Sequence, residues 1–213
     1  MRASLKYLLI SFMFITYPVI AQDKAVDDIE GSSQFIQTLG NQTIGILGDT
    51  ALSSDDRYTS FRTLFSEATD ISTLTRMLLG RHYRTVVKQG HLEAYKKSVE
   101  DYIISEFEEQ IQLIGFDSVE VIGTRPAKGK RGELIVRTDI KVVDGDDFQA
   151  DWRVQKKKGT FSIINVTVLG YNFAVSGRQL FQSRIKELGI AGHIAELEKE
   201  YARTPIENKA LGN

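Results

Sequence analysis

Few of the residues that usually carry catalysis or bind metal ions occur at spacings that would let them act together. The sequence has no cysteine and three histidines, His82, His91 and His193, which lie far apart in the chain. Without cysteine there is no disulfide, no thiolate ligand, no cysteine nucleophile and no lipid-modified N-terminal cysteine. The H-E-x-x-H spacing of zinc enzymes is missing. We predict no metal site and no cofactor, and we expect His91 and His193 to be surface residues near helix starts.

Two short motifs resemble functional signatures but lack a required glycine. The Gly129-Lys130 pair would fit a phosphate-binding loop only with a glycine five residues before Gly129, where Thr124 stands. The Ser176-Gly177 pair lacks the glycine two residues before the serine that a nucleophile elbow requires. The sequence therefore predicts a protein that is not an enzyme.

The charges are balanced, with 27 lysine and arginine residues against 28 aspartate and glutamate residues and a net charge of −1. Nucleic-acid-binding proteins usually carry a basic excess, so we expect no nucleic-acid partner. Basic residues do cluster at Lys128, Lys130 and Arg131 and at Lys156–Lys158. We interpret both clusters as solvated hairpin tips, with contact to anionic lipid head groups as the alternative.

The length and composition indicate one globular domain preceded by a targeting segment. The chain has 213 residues, of which 42% are hydrophobic and 26% charged. Arg2 and Lys6 precede an apolar run over residues 7–17, and Pro18 ends that run shortly before Ala21. This run is too short to span a membrane, which takes about 20 residues, and is typical of a secretory signal peptide. We predict a signal peptide at 1–21, one α+β domain at 22–204 and a flexible tail at 205–213.

Helices are predicted at both ends of this domain. Residues 22–32 are polar and are expected to be loose. Asp70 is predicted to cap one helix, which Gly80 would follow in a left-handed conformation. From apolar periodicity and capping residues, the predicted helices are 33–47, one that begins at Ser53 or Ser54, one that begins after Asp70, 92–113, 178–188 and 191–201.

The apolar period changes to two residues after Gly115, which predicts half-buried antiparallel strands. The predicted strands are 119–124, 133–143, 148–155 and 161–169. The alternation in the last strand slips, and a β-bulge near Ile163–Ile164 would restore it. The sequence therefore predicts an α+β fold with a four-stranded antiparallel meander between N-terminal and C-terminal helices.

The turn between the second and third strands is constrained by the alternation of side chains. A two-residue turn at Asp144-Gly145 would place outward residues opposite inward ones, so it is excluded. We predict a three-residue loop at 145–147, which sets Asp139 opposite Arg153 and Lys141 opposite Asp151. Both are attractive pairs, each worth about 0.2–1 kcal/mol.

The apolar surfaces of the long helix at 92–113 and of the sheet are the two largest in the chain, and they must meet. They could form a filled core or curve around an apolar cavity. Periodicity alone does not separate these alternatives.

Several short motifs occur in an order that is typical of one protein family. Leu79 to Arg84 is similar to an "L-G-x-aromatic-W-R" turn, and Tyr95, Val99, Ile103 and Phe107 follow it at four-residue spacing. Trp152-Arg153 matches a "W-R" strand, and residues 161–181 resemble "W-x-I-x-D-V … G-x-S … R … F". Over residues 35–197 the chain thus resembles the MlaC/toluene-tolerance family of periplasmic phospholipid-binding proteins. It departs from the family at Tyr83 (Trp in the family), Asn165 (Asp), Asn172 (Ser) and Gly177 (an aromatic residue).

The resemblance implies a fold like the cones of nuclear transport factor 2, with a deep apolar cavity between sheet and helices. It implies a non-enzymatic carrier of phospholipid in the periplasm, and we expect this carrier to be a monomer. The implied partners are the inner-membrane Mla ABC transporter complex and an outer-membrane lipoprotein–porin complex, and the implied role is to maintain outer-membrane lipid asymmetry.

If the cavity exists, its walls should come from the two largest apolar surfaces. The predicted lipid-binding residues are Tyr102, Ile103, Phe107, Val136, Ile140, Trp152, Val154, Val166 and Val168. Segment 170–177 has glycine at both ends and is predicted to be either a tight strand-to-helix connection or a lid, in which case Phe173 would also contact lipid.

Two other functions remain open from the residues alone. An enzyme of the isomerase or dehydratase type on the same scaffold would need a carboxylate or histidine inside the cone. Asp139 and Asp151 lie on the polar face of the sheet by alternation, so neither qualifies. A protein-binding adaptor would have a filled core.

Overall fold

The computed structural model describes residues 20–129, 132–143 and 145–201, and within these ranges the side chains of 20–25 and 108–114 are not described. The predicted signal peptide up to residue 19 and the predicted tail lie outside the described residues. The elements in chain order are α1 (Ile20–Gly48), α2 (Ser54–Ala68), α3 (Ile71–Leu79), a 3₁₀ turn (Gly80–His82), α4 (Tyr83–Lys88), α5 (Leu92–Ile114), β1 (Phe116–Pro126), β2 (Glu133–Val142), β3 (Phe148–Lys157), β4 (Thr160–Val168), β5 (Tyr171–Asn172) and α6 (Phe173–Tyr201).

The predicted helix starts of α2 and α3 are confirmed by their capping bonds. The Ser53 hydroxyl accepts a hydrogen bond from the Asp56 amide at 3.1 Å, and an Asp70 carboxylate oxygen accepts one from the Thr73 amide at 2.8 Å. Each bond satisfies an amide that the first helical turn leaves without a backbone acceptor. Gly80 follows α3 with a positive φ of 51°, as predicted, but its ψ of −117° lies outside the left-handed helical region.

The expectation that residues 22–32 are loose is wrong, because helix α1 begins at Ile20. Contacts with distant strands hold this part of the helix. The Ser33 hydroxyl is 2.7 Å from the Thr124 hydroxyl on β1, and the Lys156 ammonium donates to Asp28 at 2.6 Å. Such contacts join residues far apart in the chain, so a local apolar period does not reveal a helix that depends on them.

The sheet is an antiparallel meander in the order β1-β2-β3-β4-β5. The four predicted strands are present, and a fifth strand of two residues, Tyr171–Asn172, was not predicted. The predicted bulge is confirmed: Arg153 pairs with Asn165 and Val154 with Ile163, so that Ile164 is the extra residue on β4. The bulge lets Ile163 and Val166 face the same side of the sheet.

The predicted register of β2 and β3 is wrong by four residues along β3, because Asp139 lies opposite Gln149 rather than Arg153. The exclusion of a two-residue turn is confirmed, since an even shift keeps each side chain on its face. The wider turn is closed by side chains: Lys141 donates to Asp147 at 2.8 Å, and the Val142 amide donates to Asp147 at 3.3 Å. In this register Arg137 lies opposite Asp151 and forms an ion pair at 2.7 Å.

The helices cover one face of the sheet. Buried Ile140, Ala150 and Val166 pack with α3, α5 and α6 in the main apolar cluster. A second cluster joins Ile36 of α1 to the sheet residues Val136, Val154 and Ile163. The opposite face carries ion pairs such as Arg137 with Asp151. The predicted α+β fold, with helices at both ends of an antiparallel sheet, is confirmed.

Helix α6 contains a break at Gly189, where φ is 73° and ψ is 176°. This conformation interrupts the helix and turns the chain, and glycine tolerates it best. The break falls between the two predicted C-terminal helices, although the first of them begins earlier than predicted, at Phe173.

Candidate functional site

An apolar cavity of about 600 Å³ lies between the sheet and helices α1, α2 and α5. Pockets that bind small molecules typically measure about 300–1,000 Å³. The wall is formed by side chains from both layers, including Phe61 and Phe65 of α2, Phe116 of β1 and Phe148 of β3. The core is therefore not completely filled. Of the two arrangements that periodicity left open, a filled core and an apolar cavity, the structure has the cavity.

The cavity runs along β4 from a closed end to an open one. Ile163 lines the closed end and is 6% exposed, whereas Leu169 lines the open end and is 81% exposed. At a rise of about 3.3 Å per strand residue, these positions are ~20 Å apart. Around the open end lie the β2–β3 turn at Gly145 and Asp146 and the start of β5 at Tyr171. We call this end, formed by Gly145, Asp146, Leu169 and Tyr171, the mouth.

Helix α1 supplies one side of the wall that we did not predict. Its lining positions are Ile36, Leu39, Gly40, Thr43 and Ile44, which are spaced by three or four residues and so form one helical stripe. Gly40 lets the helix approach the sheet, because a Cβ atom there would lie 2.9 Å from Cγ1 of Val119. The stripe was visible in the sequence, but nothing local showed that it faces a cavity.

Most of the predicted lipid-binding residues line this cavity. Those in the wall are Tyr102, Ile103, Phe107, Ile140, Trp152, Val166, Val168 and Phe173. Val136 and Val154 do not line it, because they are fully buried beneath α1 with Ile36. Whether the wall residues contact lipid stays a prediction. Lining residues that sequence reasoning missed come mainly from α1, α2 and β1.

The only tryptophan, Trp152, is fixed in the wall by a hydrogen bond. Its Nε1–H donates to the Thr138 hydroxyl at 2.9 Å. Thr138 lies on the neighbouring strand β2 and is fully buried. The bond satisfies the indole donor and leaves the ring available to form part of the cavity surface.

A few polar groups interrupt the apolar wall. Near the closed end, the buried Thr69 hydroxyl has no hydrogen-bond partner among the described residues. Two acidic residues, Glu106 and Asp146, also line the wall, and Asp146 belongs to the mouth. Burial, with a smaller effect of the Glu106 charge, raises the pKa of Tyr102 on the same helix. Tyr102 is therefore neutral at ordinary pH.

Segment 170–177 is a tight strand-to-helix connection. Helix α6 begins at Phe173, which is buried and stacks on Tyr102 with ring centres 5.9 Å apart. Gly177, one of the two glycines that would have to act as hinges of a lid, lies inside α6, and a Cβ atom there would be 2.6 Å from Cδ2 of Leu78. The close helix packing at Gly177 favours the tight connection over the lid, which stays a prediction.

The expectation that His193 is a surface residue is also wrong. It is buried, and its Nδ1 lies 3.1 Å from the Tyr95 hydroxyl. Burial, and then the charge of Arg184, lower the pKa of His193 to about 4. Its burial could have been predicted from the helical spacing of the apolar residues around it, which places the imidazole on the apolar side of α6. These residues are Ile190, Ile194 and Leu197.

The arrangement offers little for catalysis or metal binding. Over residues 20–129, 132–143 and 145–201, no three His, Asp or Glu side chains meet in a way that could hold a metal ion. Asp139 and Asp151 form ion pairs with Lys141 and Arg137, as expected for the polar face. Glu106 and Asp146 do line the cavity, but no histidine or lysine accompanies them among the described lining residues.

Within the same described ranges, no helix combines the length and the apolar character needed to cross a bilayer. This finding does not extend to residues 1–19, where the predicted signal peptide lies.

Comparison with known proteins identifies both the sequence family and the fold. The family model described as "MlaC protein" matches residues 37–199. A similar solved structure is that of the phospholipid-binding protein from Ralstonia solanacearum in complex with a phospholipid. The TM-score is 0.68 at 15% sequence identity, and the match covers 80% of this chain and 96% of that chain. No curated protein matches this sequence.

Proposed function

The chain belongs to the MlaC family, and on this premise we propose that it is a phospholipid carrier of the periplasm. The observation that carries the proposal is the apolar cavity of about 600 Å³, which is closed at Ile163 and open at Leu169. The similar structure from Ralstonia solanacearum, a phospholipid-binding protein in complex with a phospholipid, supports it.

The cavity would lower the cost of moving a lipid through water. Exposing an acyl chain costs about 0.8 kcal/mol per CH₂ group, so an unaided two-chain lipid leaves a bilayer slowly. Transfer into a wall of Phe65, Ile103, Trp152 and Val166 replaces one apolar environment by another. The exchange is then nearly balanced in free energy, and its direction depends on the partners.

We propose that the carrier shuttles phospholipid between the inner-membrane Mla ABC transporter complex and the outer-membrane lipoprotein–porin complex, and so maintains outer-membrane lipid asymmetry. The proposed location rests on the signal-peptide pattern at residues 1–21. The protein would act without a cofactor, since the lipid is cargo.

The test begins with native mass spectrometry of protein purified from the periplasm, followed by lipid extraction. We expect a bound mass equal to that of one phospholipid. The delipidated protein should then take up phospholipid from donor vesicles and deliver it to acceptor vesicles. Delipidated protein that remains folded but takes up no phospholipid would overturn the proposal.

The same experiment separates the other hypotheses. An adaptor requires a filled core, and the cavity argues against it. An enzyme would convert the bound lipid, so a changed lipid mass after incubation would favour catalysis by the carboxylates of Glu106 and Asp146. An unchanged lipid mass together with an unchanged fragmentation pattern, which an isomerase would alter, favours the carrier.

A further inference from the structure

The charged groups of the cavity wall are all acidic. Glu106 and Asp146 line it, whereas no lysine, arginine or histidine does among the residues that the structure describes. Asp146 is exposed in the β2–β3 turn of the mouth. Glu106 lies one turn beyond Tyr102 on α5, towards the end where the chain passes into β1. A lipid that enters the cavity would therefore place its head group near carboxylates.

Of the basic residues singled out from the sequence, those that the structure describes lie at the opposite end of the sheet from the mouth. The β3–β4 turn, with Lys157 and Lys158, is next to the closed end of β4, and antiparallel pairing places the β1–β2 turn with Lys128 on the same side. Two of these cations are also engaged, because Lys156 binds Asp28 and Lys157 binds Asp70, each at 2.6 Å. They cannot neutralise a phosphate at the mouth.

Helix α6 begins beside the mouth, and a helix N-terminus often binds anions. Here its first amides are already occupied by side chains. The Ala174 amide donates to Asn165 at 2.9 Å, and the Val175 amide donates to Asn172 at 3.0 Å. The two asparagines are linked by a hydrogen bond of 3.0 Å. These two amides of α6 are therefore not available to an anionic head group.

Aromatic rings accompany the acidic groups. Tyr171 of the mouth lines the cavity and is 55% exposed, whereas Tyr102 is buried, with Phe173 stacked on its ring and Tyr201 packed edge-on against it. The face of a tyrosine ring attracts an ammonium group, as does a neighbouring carboxylate. The tyrosine ring and the carboxylate therefore both attract a head group that ends in an ammonium.

We propose that the mouth selects lipids by head-group charge: it favours phospholipids whose head group carries an ammonium and no net negative charge, such as phosphatidylethanolamine, over anionic ones. This inference rests on the proposed function, because it concerns the cargo of the same cavity.

Delipidated protein is incubated with vesicles that contain equal amounts of phosphatidylethanolamine and phosphatidylglycerol with identical acyl chains. The bound lipid is identified by native mass spectrometry. We expect phosphatidylethanolamine to be enriched about three- to tenfold at low salt and less so in 0.5 M NaCl, because salt screens exposed charges. The double variant Glu106→Gln/Asp146→Asn should bring the ratio close to one while total loading stays the same.

The matched control is Glu67→Gln/Glu93→Gln, which removes the same charge at exposed positions away from the mouth and should keep the wild-type ratio. Equal loading of both lipids by the wild type would overturn the head-group inference and leave the carrier function intact. A ratio that is the same in the wild type and in Glu106→Gln/Asp146→Asn would overturn the role of the two carboxylates. Folded protein that loads neither lipid would overturn the proposed function itself.

Discussion

The Tyr95 hydroxyl lies 3.1 Å from Nδ1 of His193 and joins α5 to α6 inside the core. The imidazole also meets the Phe181 ring edge-on, with ring centres 4.7 Å apart. Because the surrounding groups are aromatic and water is excluded, the neutral form of His193 is strongly favoured. The contact ties the helix that lines the cavity to the helix that covers one end of the sheet.

The first prediction follows from this contact. The pKa of His193 is lowered to about 4 by burial and by Arg184, whereas an unfolded histidine has a pKa of about 6.5. The unfolded state therefore binds the proton more readily, and the stability contributed by neutral His193 is lost as the pH falls from about 6.5 towards 4. We expect a loss on the order of 2–3 kcal/mol in the free energy of unfolding.

Urea unfolding at a series of pH values checks this prediction. His193→Phe has no titrating group, so its stability should fall less than that of the wild type over the same pH interval. His91→Phe is the matched control, since His91 is only half-buried at the start of α5 and should leave the wild-type profile unchanged. Identical pH profiles for the wild type and His193→Phe would contradict the attribution of this pH dependence to His193.

The second prediction uses Trp152, which is the only tryptophan and part of the cavity wall. A phospholipid with brominated acyl chains should quench its fluorescence, because bromine quenches indole only at short range. The same lipid without bromine is the reference. In the double variant Trp152→Phe/Gln149→Trp the indole moves to the exposed outer face of β3, and quenching should be lost. Equal quenching in both proteins would place the lipid outside the cavity.

The third prediction concerns a substitution that fills part of the cavity. Val166 lies in the wall opposite Trp152 on the neighbouring strand. Val166→Phe should occupy part of the empty volume, lower the amount of co-purified lipid, and raise the stability of the lipid-free protein by about 0.5–2 kcal/mol. Lipid extraction and thermal unfolding measure the two effects.

The control for cavity filling is Val87→Phe, since Val87 is exposed on α4 and does not line the cavity. It should change neither the lipid content nor the stability appreciably. A folded Val166→Phe variant with the wild-type lipid content would count against this cavity as the binding site.

The fourth prediction concerns Gly177, where α6 crosses α3. A Cβ atom would lie 2.6 Å from Leu78, so Gly177→Ala should lower the free energy of unfolding by about 1–3 kcal/mol through overpacking. The second change Leu78→Val should restore part of that loss, because it removes the colliding carbon. If Gly177 were instead a hinge, the alanine variant would alter lipid transfer while unfolding remained unaffected, and Leu78→Val would give no rescue.

The sequence by itself determined the elements whose signals are local. Ser53 and Asp70 cap helices because their side chains reach amides three residues away. Strand alternation places Ile140 and Trp152 on the inner face and Asp151 on the outer one. The bulge at Ile164 is likewise required by a slip in that alternation. These features depend on residues only a few positions apart in the chain, so the amino-acid sequence alone is enough to predict them.

Only the tertiary structure decided how the apolar surfaces meet. Val136 and Ile140 are equivalent in the pattern of β2, yet α1 buries the first and leaves the second in the cavity wall. The polar start of α1 is helical because Asp28 and Ser33 bind distant strands. His193 is buried because α5 brings Tyr95 to it. Each outcome depends on residues tens of positions away, whose approach is set by packing of the whole fold and leaves no trace in local spacing.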